Sequence, residues 1–122
     1  MIILCVDNTP VILQSLKEYA VTAYPHADVQ TFLQEDAALS YAETYGCDVL
    51  LCEINPPRLE GLFLAEKIKA LNPRVNIIFF TVCSESEHAK AVMRLKPSGY
   101  LTKESTNAQI LEELQTLRYP VA

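Results

Sequence analysis

Five polar side chains close four apolar runs in this chain. Asp7 and Asn8 follow Ile2 to Val6, Glu53 closes the run from Asp48, Thr81 follows Val75 to Phe80, and Lys103 follows Gly99 to Thr102. An acid or an amide at the end of one run is common. An acid–amide pair, an acid, a hydroxyl and a lysine at four run ends are rare by chance. Gathered in one place, these groups make a charged polar site, with Glu53 as the carboxylate at its centre.

The elements that must position them follow from the pattern between the runs. Val49-Leu50-Leu51-Cys52 is continuously apolar, as expected of a strand buried on both faces in the middle of a parallel sheet. Thr9 reads as an N-cap with Pro10 at the first helical position, and Ile12, Leu16, Tyr19, Ala20 and Ala23 recur at helical spacing up to Pro25. Val29 to Phe32 reads as a short strand, and Glu35 to Tyr45 as a helix with Gly46 at C′. The two prolines of Asn55-Pro56-Pro57-Arg58 require a loop. Leu62, Ala65, Ile68 and Leu71 give a third helix, stopped at Asn72-Pro73. Ser84 with Glu87 and Thr106 with Gln109 are capping boxes, opening helices to about Leu95 and about Arg118.

Five strands alternating with five helices imply right-handed crossovers and a parallel sheet. The expected architecture is a doubly wound (βα)5 flavodoxin-like α/β domain with strand order 2-1-3-4-5. In that order Asp7, Asn8, Glu53, Thr81 and Lys103 converge on the crevice at the C-terminal ends of neighbouring strands, where open α/β sheets place their chemistry.

The totals agree with one domain. With 122 residues, half of them apolar and a fifth charged, the chain has the profile of a soluble globular protein. No apolar run approaches the roughly 20 residues needed to span a bilayer. The N-terminus lacks the basic region and cleavage site of a signal peptide, so a cytoplasmic location is expected. A net charge of −5 argues against nucleic-acid binding by this domain. Cys5, Cys47, Cys52 and Cys83 form no CxxC, and read as buried reduced thiols, Cys83 being the weak candidate for a redox role. His26 and His88 read as surface residues. Residues 1–118 are taken as the domain, and 119–122, beginning with Tyr119-Pro120, as the start of a linker or tail.

The chain resembles the receiver domain of two-component response regulators over nearly its whole length. The matching pieces are Val6-Asp7-Asn8, the strand ending at Glu53 with Asn55-Pro56-Pro57-Arg58-Leu59-Glu60-Gly61-Leu62, Ile77-Ile78-Phe79-Phe80-Thr81, and Gly99-Tyr100-Leu101-Thr102-Lys103. The resemblance implies a phosphoacceptor position at Glu53, an acid pocket at Asp7 and Asn8, and phosphoryl-binding and switch roles for Thr81, Lys103 and Tyr100. A magnesium ion would fall to Asp7, Glu53 and Asn55. It further implies a histidine kinase as partner, or none, and an output domain C-terminal to this segment, a DNA-binding transcription domain being expected. A homodimer is expected through the face of the fourth helix, fifth strand and fifth helix, where Met93, Leu95 and Leu117 read either as apolar surface or equally as core.

Three departures from the family pattern set the functional expectation. Glu53 stands where the family has aspartate. Its extra methylene carries the carboxylate toward the region a phosphoryl group would occupy, and in-line attack tolerates little misplacement. Poor or absent phosphorylation is expected, hence no enzymatic self-phosphorylation. Asn8 replaces the second acid, so the local sum of Asp7, Glu53 and Lys103 is about −1 and magnesium binding is expected to be weak or absent, with no cofactor required. Glu104 replaces the proline after the lysine, removing the reason for a cis bond that costs roughly 2.5 to 4 kcal/mol.

A switch moved from 1:99 to 99:1 needs about 5.5 kcal/mol, and a charge-assisted hydrogen bond contributes roughly 1.5 to 3 kcal/mol. One carboxylate engaging Thr81 and Lys103 thus supplies part of such a shift. The expected function is an atypical, phosphorylation-independent receiver. The rival is a pseudo-receiver serving only as an interaction module. A flavodoxin lacks support because Asn8-Thr9-Pro10 offers no glycine-rich phosphate loop. A phosphohydrolase would need an acid where Thr9 stands, and no Walker or dinucleotide fingerprint occurs.

Overall fold

A computed structural model describes residues 1–54, 60–81, 89–102 and 104–121 of the chain. Five strands and five helices alternate: β1 (Ile2–Val6), α1 (Pro10–Ala23), β2 (Asp28–Phe32), α2 (Glu35–Tyr45), β3 (Val49–Ile54), α3 (Glu60–Leu71), β4 (Asn76–Thr81), α4 (Ala89–Arg94), β5 (Gly99–Thr102) and α5 (Asn107–Gln115). All strand pairs are parallel and the sheet order is β2-β1-β3-β4-β5, the order read from the sequence. The central strands β3 and β4 are apolar between their ends, Val49 to Cys52 and Ile77 to Phe80, because helices cover both of their faces.

Side chains alternate between the two covering layers with the period of a strand. Ile3, Cys5, Val49, Leu51, Ile78, Phe80 and Leu101 join Leu13, Leu16, Ala20, Ile110 and Leu114 of α1 and α5 in one core. Leu4, Val6, Leu50, Cys52, Ile54, Ile77 and Phe79 join Ala38, Ala42, Leu62, Ala65, Ile68 and Val92 of α2, α3 and α4 in the other. Full burial of an aliphatic or aromatic side chain contributes roughly 1.5–3 kcal/mol, so these two cores hold the strand tips in place.

Several boundaries differ from the sequence reading. β3 runs from Val49 to Ile54, leaving Glu53 penultimate; Ile54 is buried and pairs with Thr81. Thr9 occupies the N-cap of α1 with Pro10 following, but its side chain does not cap. Its hydroxyl donates instead to Asn8 Oδ1 at 3.3 Å, while its N–H donates to Asp7 Oδ1 at 2.8 Å. Gly46 is the C-cap of α2, with φ 93 and ψ 177, a conformation that L side chains avoid. The capping box of α5 is present, Thr106 Oγ1 accepting from Gln109 N at 3.2 Å and Gln109 Oε1 from Thr106 N at 2.8 Å. That helix stops at Gln115, short of Arg118, because the next residues hydrogen-bond to the sheet. The Ser84–Glu87 capping box and the Asn55–Arg58 loop lie outside the described residues, as do Cys83 and His88.

Candidate functional site

The register of β1 against β3 builds the site. Val6 pairs with Cys52, so the next residues, Asp7 and Glu53, stand side by side at adjacent strand tips. Strands lie about 4.8 Å apart, which places two carboxylates within reach of one another. Glu53 follows Val49 and Leu51 in the alternation, as Asp7 follows Ile3 and Cys5, so both leave the sheet toward the α1 and α5 layer.

Asp7 is 2% exposed. Its Oδ1 accepts from the Thr9 N–H at 2.8 Å, whereas its Oδ2 is buried with no hydrogen-bond partner among the described residues. A buried carboxylate oxygen without a donor is costly, so the position is built to meet a cation or a donor. Glu53 is half-buried and Asn8 is exposed, its Oδ1 taking the Thr9 hydroxyl. Thr81 is 2% exposed at the tip of β4, paired with Ile54 on one side and Thr102 on the other. Thr81 therefore lies diagonally across from Glu53, one residue beyond Phe80, Glu53's own partner. Tyr100 pairs with Phe79, is half-buried and packs against the core shared with α2, α3 and α4. Lys103 and Asn55 lie outside the described residues.

The structure thus brings Asp7, Glu53 and Thr81 to one end of the sheet, as the run ends predict. Of the residues given to the dimer face, Met93 is 63% exposed, while Leu95 and Leu117 are half-buried and pack into the cores. Among the described residues no three His, Cys, Asp or Glu side chains form a metal-holding group. Among the described residues, the Asp7 oxygen without a partner, beside Glu53, offers a divalent cation two carboxylates.

Gly61 is a contributor that the run-end logic does not single out. A Cβ built there falls 1.9 Å from the Glu53 carbonyl oxygen, so only glycine lets α3 approach the tip of β3 this closely. Cys52 Sγ, 3.7 Å from the Gly61 carbonyl, adds a weak contact between the same two elements. The signal available in sequence is a glycine at the predicted start of a helix, where glycine costs helix stability and needs a reason.

The thiols of Cys5, Cys47 and Cys52 are buried and free. Burial pushes Cys5 and Cys47 up to about 12 from an ordinary 9.0, and raises Cys52 further, so these three remain protonated. His26 is exposed.

This arrangement coincides with a known family. A family model described as the response regulator receiver domain matches residues 3–115. The chain belongs to that family. The receiver is 25% identical over 104 residues to the Fimbriae Z protein of Salmonella typhimurium strain LT2, covering 83% of this chain and 48% of that protein. It is 23% identical over 116 residues to the transcriptional regulatory protein MctR of Rhizobium johnstonii, covering 94% of this chain and 54% of that protein. The chain spans about half the length of the curated relatives it matches. In fold it is similar to a CheY-like receiver domain from Methanospirillum hungatei, with TM-score 0.79, 24% identity, and coverage of 93% of this chain and 90% of that one. The receiver is a regulatory domain of two-component signal transduction. Among the described residues no helix is long and apolar enough to cross a membrane.

Proposed function

We propose that this receiver signals without phosphorylation, the Glu53 carboxylate standing permanently where a transferred phosphoryl group would act. The observation that carries the reading is that Glu53 and Asp7 each follow the last residues paired between β3 and β1, Asp7 being a buried carboxylate whose Oδ2 has no partner among the described residues. Phosphorylation would turn the Glu53 carboxylate into an acyl phosphate, exchanging its single negative charge for about −1.5 to −2 on the phosphoryl oxygens. Beside the Asp7 carboxylate, that extra charge calls for a strongly held metal ion. Asn8 supplies an amide where a second acid would strengthen such a site. A glutamate fixed at the strand tip keeps negative charge at this end of the sheet without that demand.

Magnesium is held weakly in this reading, by Asp7, Glu53 and Asn55, and no cofactor is required. Glu53 acts on Thr81 and Lys103, and Tyr100 follows Thr81. The partner is an output domain C-terminal to this segment, a transcriptional one by the character of MctR, with a histidine kinase dispensable. Self-association uses the face of α4, β5 and α5, and the protein works in the cytoplasm.

The test combines intact mass with sedimentation. Treatment with acetyl phosphate and magnesium leaves the mass unchanged, and Glu53→Ala weakens self-association. Stoichiometric phosphoryl transfer to Glu53 overturns the reading, and self-association that Glu53→Ala leaves intact favours a pure interaction module instead.

A further inference from the structure

The opposite end of β4 carries a second built arrangement. Asn76, the first residue of β4, is completely buried. Its backbone N–H continues the ladder to the Asp48 carbonyl at 2.9 Å, so its side chain needs partners of its own. Apart from a 3.4 Å contact of Nδ2 with the same Asp48 carbonyl, those come from beyond α5. Asn76 Nδ2 donates to the Tyr119 carbonyl at 2.8 Å, and Asn76 Oδ1 accepts from the Tyr119 N–H at 2.7 Å. A carboxamide satisfied at both ends by one backbone unit is a specific, two-point grip.

The flanking residues are tied in the same way. Ser98 Oγ accepts from the Arg118 N–H at 3.0 Å and donates to the Thr116 carbonyl at 3.4 Å. The Tyr119 ring then meets three cations from three places in the chain. Lys69 Nζ lies 4.8 Å from the ring centroid and 3.4 Å from the hydroxyl, with the guanidinium carbons of Arg74 and Arg118 at 5.5 and 5.8 Å. Cations at this range are attracted by the ring face.

We propose that Thr116 to Tyr119 form a latch that fastens the end of α5 to the N-terminal edge of the sheet, with the Asn76 carboxamide as its catch and the Tyr119 ring as its key. Release breaks both short bonds together, leaving Asn76 Oδ1 without its donor and Nδ2 with only the Asp48 carbonyl at 3.4 Å, so the latch is either closed or open, with little between. Asn76 and Thr81 are the two ends of the same strand, roughly 16 Å apart at the rise of a β-strand. Any segment that continues past the latch leaves from the edge opposite the candidate site, and its point of departure is fixed by β4.

Hydrogen exchange of single backbone amides tests this on the chain as it stands. The Tyr119 and Arg118 amides exchange at least about tenfold more slowly than an unstructured tail, and Asn76→Ala accelerates Tyr119 about tenfold while Ile78 stays protected. An absorbance titration supplies a readout that needs no variant at Asn76. The lysine hydrogen bond and the neighbouring Arg118 hold the Tyr119 phenol below the ordinary 10.0, so it ionises ahead of Tyr24 and Tyr41, which are raised, and Tyr119→Leu removes that early transition. A Tyr119 amide exchanging at the unstructured rate in the unaltered chain overturns the latch. An early transition that survives Tyr119→Leu overturns the cation-held ring.

Discussion

A methyl group at Gly61 would sit 1.9 Å from the carbonyl oxygen of Glu53. The obstacle is backbone, part of the β3 tip, and cannot swing aside. Gly61→Ala therefore forces α3 away from the strand that carries the central carboxylate. The expected loss is about 3 kcal/mol, the upper part of the range for overpacking, read from the urea midpoint. Gly99→Ala is the control. There the nearest atom, at 2.3 Å, is Glu113 Oε2, the end of a flexible side chain, and a loss under about 1.5 kcal/mol is expected.

Asp7→Asn should stabilise the protein when no divalent ion is added. The amide oxygen keeps the bond from the Thr9 N–H, while a donor replaces the unpartnered Oδ2 and one charge leaves the pair with Glu53. A gain of about 1 kcal/mol is expected in thermal or urea unfolding, in line with removal of an uncompensated buried charge. The same substitution should reduce whatever magnesium affinity the receiver has, measured by calorimetry. A destabilised Asp7→Asn would mean that the carboxylate is matched by a donor after all.

Alkaline pH should unfold the chain through its thiols. The folded state holds Cys5 and Cys47 at about 12 against an ordinary 9.0, by burial. Since the unfolded chain releases these protons first, it binds fewer protons above pH 9, and stability falls as pH rises. The contribution is complete below about pH 9 and is lost progressively up to about pH 12. Urea midpoints between pH 8 and 11 check the slope. At pH 8 in the folded state these two thiols, with Cys52, should also resist a disulfide reagent that labels all four cysteines after denaturation.

The fold was legible because its signals are local and mutually consistent. Continuous apolar runs mark the buried strands, and a proline, a capping box and Gly46 mark helix ends. The convergence of Asp7, Glu53 and Thr81 then follows from topology alone. What sequence could not supply is contact between distant segments. Thr9 looks like a cap, yet Asn8 takes its hydroxyl. Periodicity carries α5 to Arg118, yet the helix ends at Gln115, and Ser98 and Asn76, far away in sequence, take the N–H groups of Arg118 and Tyr119. The orphaned oxygen of Asp7 is likewise invisible in a string of letters, since it depends on which donors fail to arrive.

The most direct test of the account asks what state Glu53 imposes. Glu53→Asp restores the family's acceptor and can be examined with and without beryllofluoride and magnesium, by amide spectra reporting on Thr81 and Tyr100. The unaltered receiver should superimpose on the beryllofluoride-loaded variant and differ from the unloaded one. A spectrum matching the unloaded variant would contradict the claim that this carboxylate acts as a permanent phosphate.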